Sequence, residues 1–281
     1  MDRAGADMLS LQRNIVLGLL LALAALCWAV LFWERGAGGD GMAMASPTMG
    51  LEAPLFLAIW IVMMVAMMFP TAAPMVMAFH HVHAAKRWRG EAFVSTWVFV
   101  AAYLLVWTVA GVAAYVGAVV AEMIAAATAL SPAAAARIGG GTLIAAGLYQ
   151  LTPLKNLCLA KCQTPMGFIM TSWRDGKAGA LRMGLIHGAY CLGCCWLLFV
   201  ILFPLGLMNI AAMAVVTLVI FAEKSLPWGR AASRAVAAAL VIYGAAVIAN
   251  PRLLPTFPGM AGMEMPQDMR MPGMTSEPAD R

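Results

Sequence analysis

Charged side chains are scarce in this chain: Asp, Glu, Lys and Arg make up 11% of its 281 residues, against 63% hydrophobic ones. An ordinary soluble domain carries roughly a quarter charged residues, so that class is excluded. A phosphate-binding glycine loop ending in Gly-Lys-Ser/Thr is missing, as is a dinucleotide fingerprint, and an ATP-driven pump within the chain is not expected. No Ser/His/Asp arrangement stands out, and the chain is read as a non-enzyme. Short alternating segments of the barrel-strand kind are also absent, because the apolar runs are continuous. The six cysteines are not set out as a secreted disulfide framework; most lie in or beside apolar runs. The formal charge of +5 does not imply nucleic acid, which is not an expected partner, because the basic residues follow membrane topology.

What the chain has in abundance is apolar runs near or above the roughly 20 residues that cross a ~30 Å hydrocarbon layer. Seven are expected: about Gln12 to Trp33, Pro54 to Phe79, Phe93 to Val120, a fourth from near Arg137, Leu181 to Phe203, Leu207 to Phe221 and Ala231 to Ala249. The first is read as a retained anchor, since no small-x-small cleavage site precedes Glu34. Pro70 and Pro74 are expected to bend the second span and free carbonyls that a neighbour or water must satisfy. Pro153 is expected to kink or end the fourth. Of the 18 basic residues, only Arg35, Arg137, Arg252, Arg270 and Arg281 fall on one side, and the other 13 on the opposite one. That bias predicts an all-α integral membrane protein of about seven helices, N-terminus inside and C-terminus outside. Residues 1–250 form the transmembrane domain, and 251–281 a flexible tail whose Pro-rich composition builds no core.

The run HGAYCLGCCW places His187, Cys191, Cys194 and Cys195 within an arc of about 100° on one helix. Cys191 lies nine residues beyond Arg182, about 14 Å into the layer. A bare thiolate there is costly, and a monovalent soft cation offsets its charge. Three cysteines and a histidine on one buried face therefore point to Cu(I). Methionine, 23 residues in all, supplies neutral thioethers that suit the same ion. Met64, Met67 and Met68 share a face of the second span by i, i+3, i+4 spacing and are candidates to complete the shell. Met263, Met265, Met269 and Met271 sit in the outer tail as a collecting arm; Met42, Met44 and Met49 lie in the other outer loop. Cys158 and Cys162, spaced i, i+4, are expected at the inner end of their span as an exchange site, with His80 and His83 as a further inner cluster. The third span offers no donor set, and Glu223-Lys224 reads as an interfacial ion pair.

The segments VMMVAMMFPTAAP, GLYQLTPLKNLCLAKCQTP, GLIHGAYCLGCCW and FPLGLMN followed by EKSLP resemble a bacterial family of metal-binding integral membrane proteins. That family is catalogued as a domain of unknown function and sometimes labelled copper chaperone-like. The resemblance covers roughly residues 55–250. It implies a metal-associated membrane protein and singles out Met67, Met68, Pro70, Cys158, Cys162, His187, Cys191, Cys194 and Cys195. The sequence reading is thus a bacterial inner-membrane protein that binds Cu(I) and carries it across the bilayer or delivers it to a copper enzyme or soluble copper carrier. The competing readings are a membrane thiol-disulfide oxidoreductase using Cys191 and Cys194, and a structural subunit of a larger membrane complex.

Overall fold

The computed structural model describes residues 3–37, 46–88 and 94–257. Met263, Met265, Met269 and Met271, with Met42 and Met44, lie outside the described residues. Those described form helices and connecting turns, with no strand among them. In order the helices are α1 (Arg3–Ala37), α2 (Ala53–Trp88), α3 (Thr96–Ala127), α4 (Pro132–Tyr149), α5 (Pro153–Gln163), α6 (Pro165–Ser172), α7 (Gly176–Val200), α8 (Leu202–Leu205), α9 (Ile210–Ser225) and α10 (Gly229–Ala249). Five segments are long and apolar enough to cross a membrane: Ser10–Glu34, Ala53–Ala84, Thr96–Ala127, Gly176–Leu205 and Gly229–Ala249. The remaining two expected spans correspond to α4 and α9, which at 18 and 16 residues are shorter. The outward faces of α1 and α3 carry exposed Leu19, Leu23, Val109 and Val116, a surface suited to lipid rather than water.

Small residues set how closely the helices pack. A Cβ on Gly140 of α4 would stand 2.8 Å from the Gly244 carbonyl oxygen of α10, and one on Gly244 would stand 2.6 Å from the Gly140 oxygen. The two backbones therefore touch, as small residues allow in membrane helices. Gly141, the third of the glycine run, faces open space. On α7, Gly184 and Gly188 meet Phe99 and Val106 of α3 in the same manner, which draws the cysteine face of α7 inward.

The segments around the prolines behave as their chemistry requires. Helix α2 continues through Pro70 and Pro74. Pro70 has no N–H, so the Ala66 carbonyl loses its usual helical donor. Trp28 of α1 replaces it: its indole Nε1 donates to Ala66 O at 3.1 Å. Helix α4 stops at Tyr149, and α5 begins at Pro153 after Thr152, whose hydroxyl accepts from Lys155 N. Between α5 and α7, the short α6 buries Phe168 and Ile169. In the segment before α2, Glu122 accepts from Thr48 N at 2.9 Å and Thr48 Oγ1 at 2.8 Å. Met49, although it lies outside any helix, packs half-buried against the core there.

Trp28→Phe keeps most of the ring but leaves the Ala66 carbonyl without a donor. It is expected to destabilise the fold by about 1–3 kcal/mol, read as a lower thermal midpoint in detergent. An unchanged midpoint would show that the carbonyl has another donor.

Candidate metal centre

Each turn of α7 brings one donor of the sequence motif to the same buried face. His187, Cys191, Cys194 and Cys195 are all buried, as the i, i+4, i+7, i+8 spacing requires. The thiols of Cys194 and Cys195 both donate back to the Cys191 carbonyl, at 3.1 and 2.9 Å. Loading either sulfur with a metal therefore requires loss of its proton and a turn away from that carbonyl. Among the described residues, no group of three or more His, Cys, Asp and Glu side chains is already closed around a metal position. All six cysteines are free thiols.

Helix α5 changes the site expected from the sequence. It packs along α7, and the Cys162 side chain lies beside Cys191 and Cys194 in the same buried cluster. Cys158 packs on Gly193, where an added Cβ would come within 2.8 Å of its sulfur. Tyr149 at the end of α4 donates to the Gly193 carbonyl. Cys158 and Cys162 are thus neighbours of the α7 cysteines. The physical reason is the break at Pro153, which lets α5 set out on a new line after α4.

Two polar groups reach Cys191 that the sequence reading did not assign to it. The Lys224 Nζ donates to its sulfur at 3.0 Å, and the Tyr103 hydroxyl of α3 lies 3.1 Å away. Lys224 is therefore not the partner of its neighbour Glu223. Glu223 instead pairs with Lys155 of α5 at 2.6 Å, both side chains being almost fully buried. Gln150 Nε2 donates to the other Glu223 oxygen at 3.0 Å, and Gln163 Nε2 to the Glu223 backbone carbonyl at 2.7 Å. The only hint of these roles in sequence is charge within α9, where an apolar run of this kind rarely tolerates an unpartnered ion.

His187 lies among aromatic rings, 5.5 Å from Tyr103 and 5.8 Å from Phe99 between centroids. Neither of its ring nitrogens has a hydrogen-bond partner in the structure. It lines a cavity of about 160 Å³ together with Met75, Cys162, Gln163, Lys224 and Ser225. A buried imidazole with both nitrogens unused, facing a cavity shared with a thiol and a thioether, has the donor chemistry of a soft-metal ligand.

The remaining candidates are placed less directly. Met64, Met67 and Met68 are fully buried and belong to the same core cluster as the five α5 and α7 cysteines. The main neighbours of α2 are α1, α3 and α9, while those of α7 are α3 and α5, so the methionine face and cysteine face meet through a shared core. His80 Nδ1 bonds to Thr96 Oγ1 at 3.0 Å. The His83 ring lies tilted against those of Phe79 and Trp173, with centroids 4.4 and 4.8 Å away. Neither contact is with a cysteine.

These features define an all-helical protein with helices suited to a membrane and a buried thiol cluster at its centre. The chain belongs to the PpoB2 family, described as a copper chaperone, whose model matches residues 57–247. That stretch holds every cysteine except Cys27 and neither polar methionine-rich segment. No curated protein and no solved structure matches the chain.

Removing one member of the Lys155–Glu223 pair leaves the other charge buried. Lys155→Met is expected to cost about 3–5 kcal/mol, and Glu223→Gln added to it should restore part of the loss. Thermal melting of the three variants forms a double-mutant cycle; strictly additive losses would mean the two groups do not act as a pair.

Proposed function

We propose that this is a multi-pass protein of the bacterial inner membrane that binds Cu(I) as cargo and delivers it to a copper enzyme or soluble copper carrier. The observation that carries this reading is the meeting of Cys162 with Cys191 and Cys194 beside the unpartnered His187. The copper-chaperone family description supports the choice of metal.

Charge counting refines the site. Two thiolates around one cuprous ion leave a unit of charge −1, which is costly to bury in a lipid-surrounded core. The Lys224 ammonium beside Cys191 brings the total to zero. A third donor must then be neutral, which suits His187 or a thioether rather than a third thiolate. Before copper arrives, Lys224 supplies the positive charge that a Cys191 thiolate needs. Cu(I) then takes up a second thiolate without changing the net balance of the core.

The wider topology follows the basic-residue bias. Seven spans, including the shorter α4 and α9, put the N-terminus inside and the C-terminus outside. At ~1.5 Å per residue α4 is about 27 Å long, close to the thickness of the hydrocarbon layer. Met263, Met265, Met269 and Met271 then fall on the outer side as a collecting arm, and Met64, Met67 and Met68 receive the ion within the bundle.

The test is copper per protein under reducing conditions. Cys162→Ser combined with Cys191→Ser should lose nearly all bound copper, because hydroxyl oxygen is a harder donor than sulfur. Cys27→Ser, with its thiol outside the cluster, should keep a full complement. Lys224→Met should weaken binding about tenfold or more, as loss of a group supporting a metal's ligands does, and Lys224→Arg should restore most of it. Full copper in the Cys162/Cys191 double variant would overturn the site. Sealed vesicles containing the protein distinguish delivery from transport: labelled copper enters them only if the protein moves it across. Reversible two-electron oxidation of metal-free protein would instead favour the thiol oxidoreductase.

A further inference from the structure

A second cavity, of about 290 Å³, opens on the other side of α5 from the thiol cluster and is lined by Gln150, Leu151, Asn156, Arg230, Ser233 and Arg234. Arg230 and Arg234 stand one turn apart on the first turns of α10, so both guanidinium groups face the same way. Both are exposed, and neither has a hydrogen-bond or ion-pair partner among the described residues. No acidic residue lines the cavity. Its one nearby carboxylate, Glu223, is already held by Lys155 Nζ and Gln150 Nε2.

The inner wall is more informative than the arginines, since basic residues at one membrane face are ordinary. Ser233 and Gln150 are each only 2% exposed, yet the Ser233 hydroxyl and Gln150 Oε1 have no partner among the described residues. Buried polar atoms are rarely left without one. Because Gln150 Nε2 is committed to the acceptor-only Glu223 carboxylate, its Oε1 is fixed as a vacant acceptor. The wall therefore offers a hydroxyl that can donate, an amide oxygen that can accept, and two planar cations that bind phosphate oxygens in forked pairs. Leu151, which lines the cavity, is exposed, as are Leu154 and Leu157 of the adjoining α5 and Trp228 just before α10, apolar surface that an acyl chain would cover.

We propose that this cavity binds a phosphate diester bearing free hydroxyls, the chemistry of a glycerophosphate headgroup. The arginines hold the phosphate oxygens, Ser233 donates to one of them, and Gln150 Oε1 accepts from a headgroup hydroxyl. The occupant enters from the bilayer, with its acyl chains along the exposed leucines. Such a lipid would brace the turn between α4 and α5 against α10 and so steady the helix that carries Cys158 and Cys162. The site is independent of the copper reading and would stand without it.

The experiment uses the purified full-length protein in detergent, titrated with short-chain phosphatidylglycerol, short-chain phosphatidylcholine and inorganic phosphate, with binding read by native mass spectrometry and calorimetry. One phosphatidylglycerol should bind more tightly than phosphatidylcholine. Arg230→Gln with Arg234→Gln should weaken it about tenfold or more, as loss of two charge-assisted contacts requires. Lys177→Gln with Arg182→Gln removes the same charge elsewhere and should leave binding unchanged. Ser233→Ala should weaken phosphatidylglycerol in a protein whose melting before lipid addition matches the wild type. Inorganic phosphate binding as tightly as the lipid, and lost with the same arginines, would keep the phosphate site but assign it to a soluble ion. Equal affinity for both lipids, or equal weakening by the two arginine and lysine variant pairs, would overturn the proposal. Copper content, measured on the same samples, reports on the thiol site separately.

Discussion

Lys224 places an ammonium group 3.0 Å from the Cys191 sulfur, inside a bundle whose outer surface is aliphatic. A cation there is tolerable only with an anion in contact, and a thiolate there is tolerable only with a cation. The two residues lie 33 positions apart on different helices, so each depends on the fold to supply the other. Much of the architecture can be read as what keeps them together. The close crossing of α3 and α7, permitted by Gly184 and Gly188, sets the cysteine face inward and brings the Tyr103 hydroxyl to the same sulfur.

Glu223 and Lys224 divide the work of α9 between two neighbours. About 100° apart on the helix, they point to different partners: Glu223 holds α5 through Lys155, and Lys224 reaches α7 through Cys191. One dipeptide thus fixes the position of Cys162 relative to Cys191, although α9 contributes no sulfur to the cluster. Gln150, capping the end of α4, and Gln163, at the end of α5, complete the grip on Glu223. At 11 residues, α5 buries only Lys155, Cys158, Leu159 and Cys162. The buried ion pair gives it a register.

What the sequence revealed was whatever repeats with the helix. The inward face of His187, Cys191, Cys194 and Cys195 follows from spacing, as does the methionine stripe of α2, because both are local to one element. Proline chemistry was legible by half: the freed Ala66 carbonyl could be anticipated, but not that Trp28, 38 residues earlier, would donate to it. Contacts between elements were not legible. Adjacent opposite charges such as Glu223 and Lys224 look like a pair when read along the chain, yet neighbours on a helix diverge and each finds a distant partner. Cys158 and Cys162 were placed by span depth, and depth carries no information about the direction in which a chain resumes after a break such as Pro153. The same limit applies to Tyr103, which among the aromatic residues of α3 has no local feature to mark its hydroxyl.

The arrangement of sulfur types along the bundle gives the proposed function a direction. Met64, Met67 and Met68 lie seven to 11 residues before Met75 on α2, or roughly 10–16 Å at ~1.5 Å per residue, and Met75 lines the cavity shared with Cys162, His187 and Lys224. A thioether is neutral and holds Cu(I) without counter-charge, so an ion passing from methionine to methionine is bound weakly at each step. At the cysteines the donors become anionic and the attraction rises sharply. On the proposed function, transfer from the methionines to the thiol cluster would be downhill, and departure from it would not. Release therefore needs an acceptor that brings thiolates of its own, so that sulfur is exchanged for sulfur while the metal never faces water or lipid alone. Lys224 favours such an exchange from the other side, because its ammonium is ready to re-pair with Cys191 as the metal leaves. On the proposed function, a cation in place to re-pair with the vacated Cys191 thiolate suits handing the ion to a partner rather than letting it diffuse away.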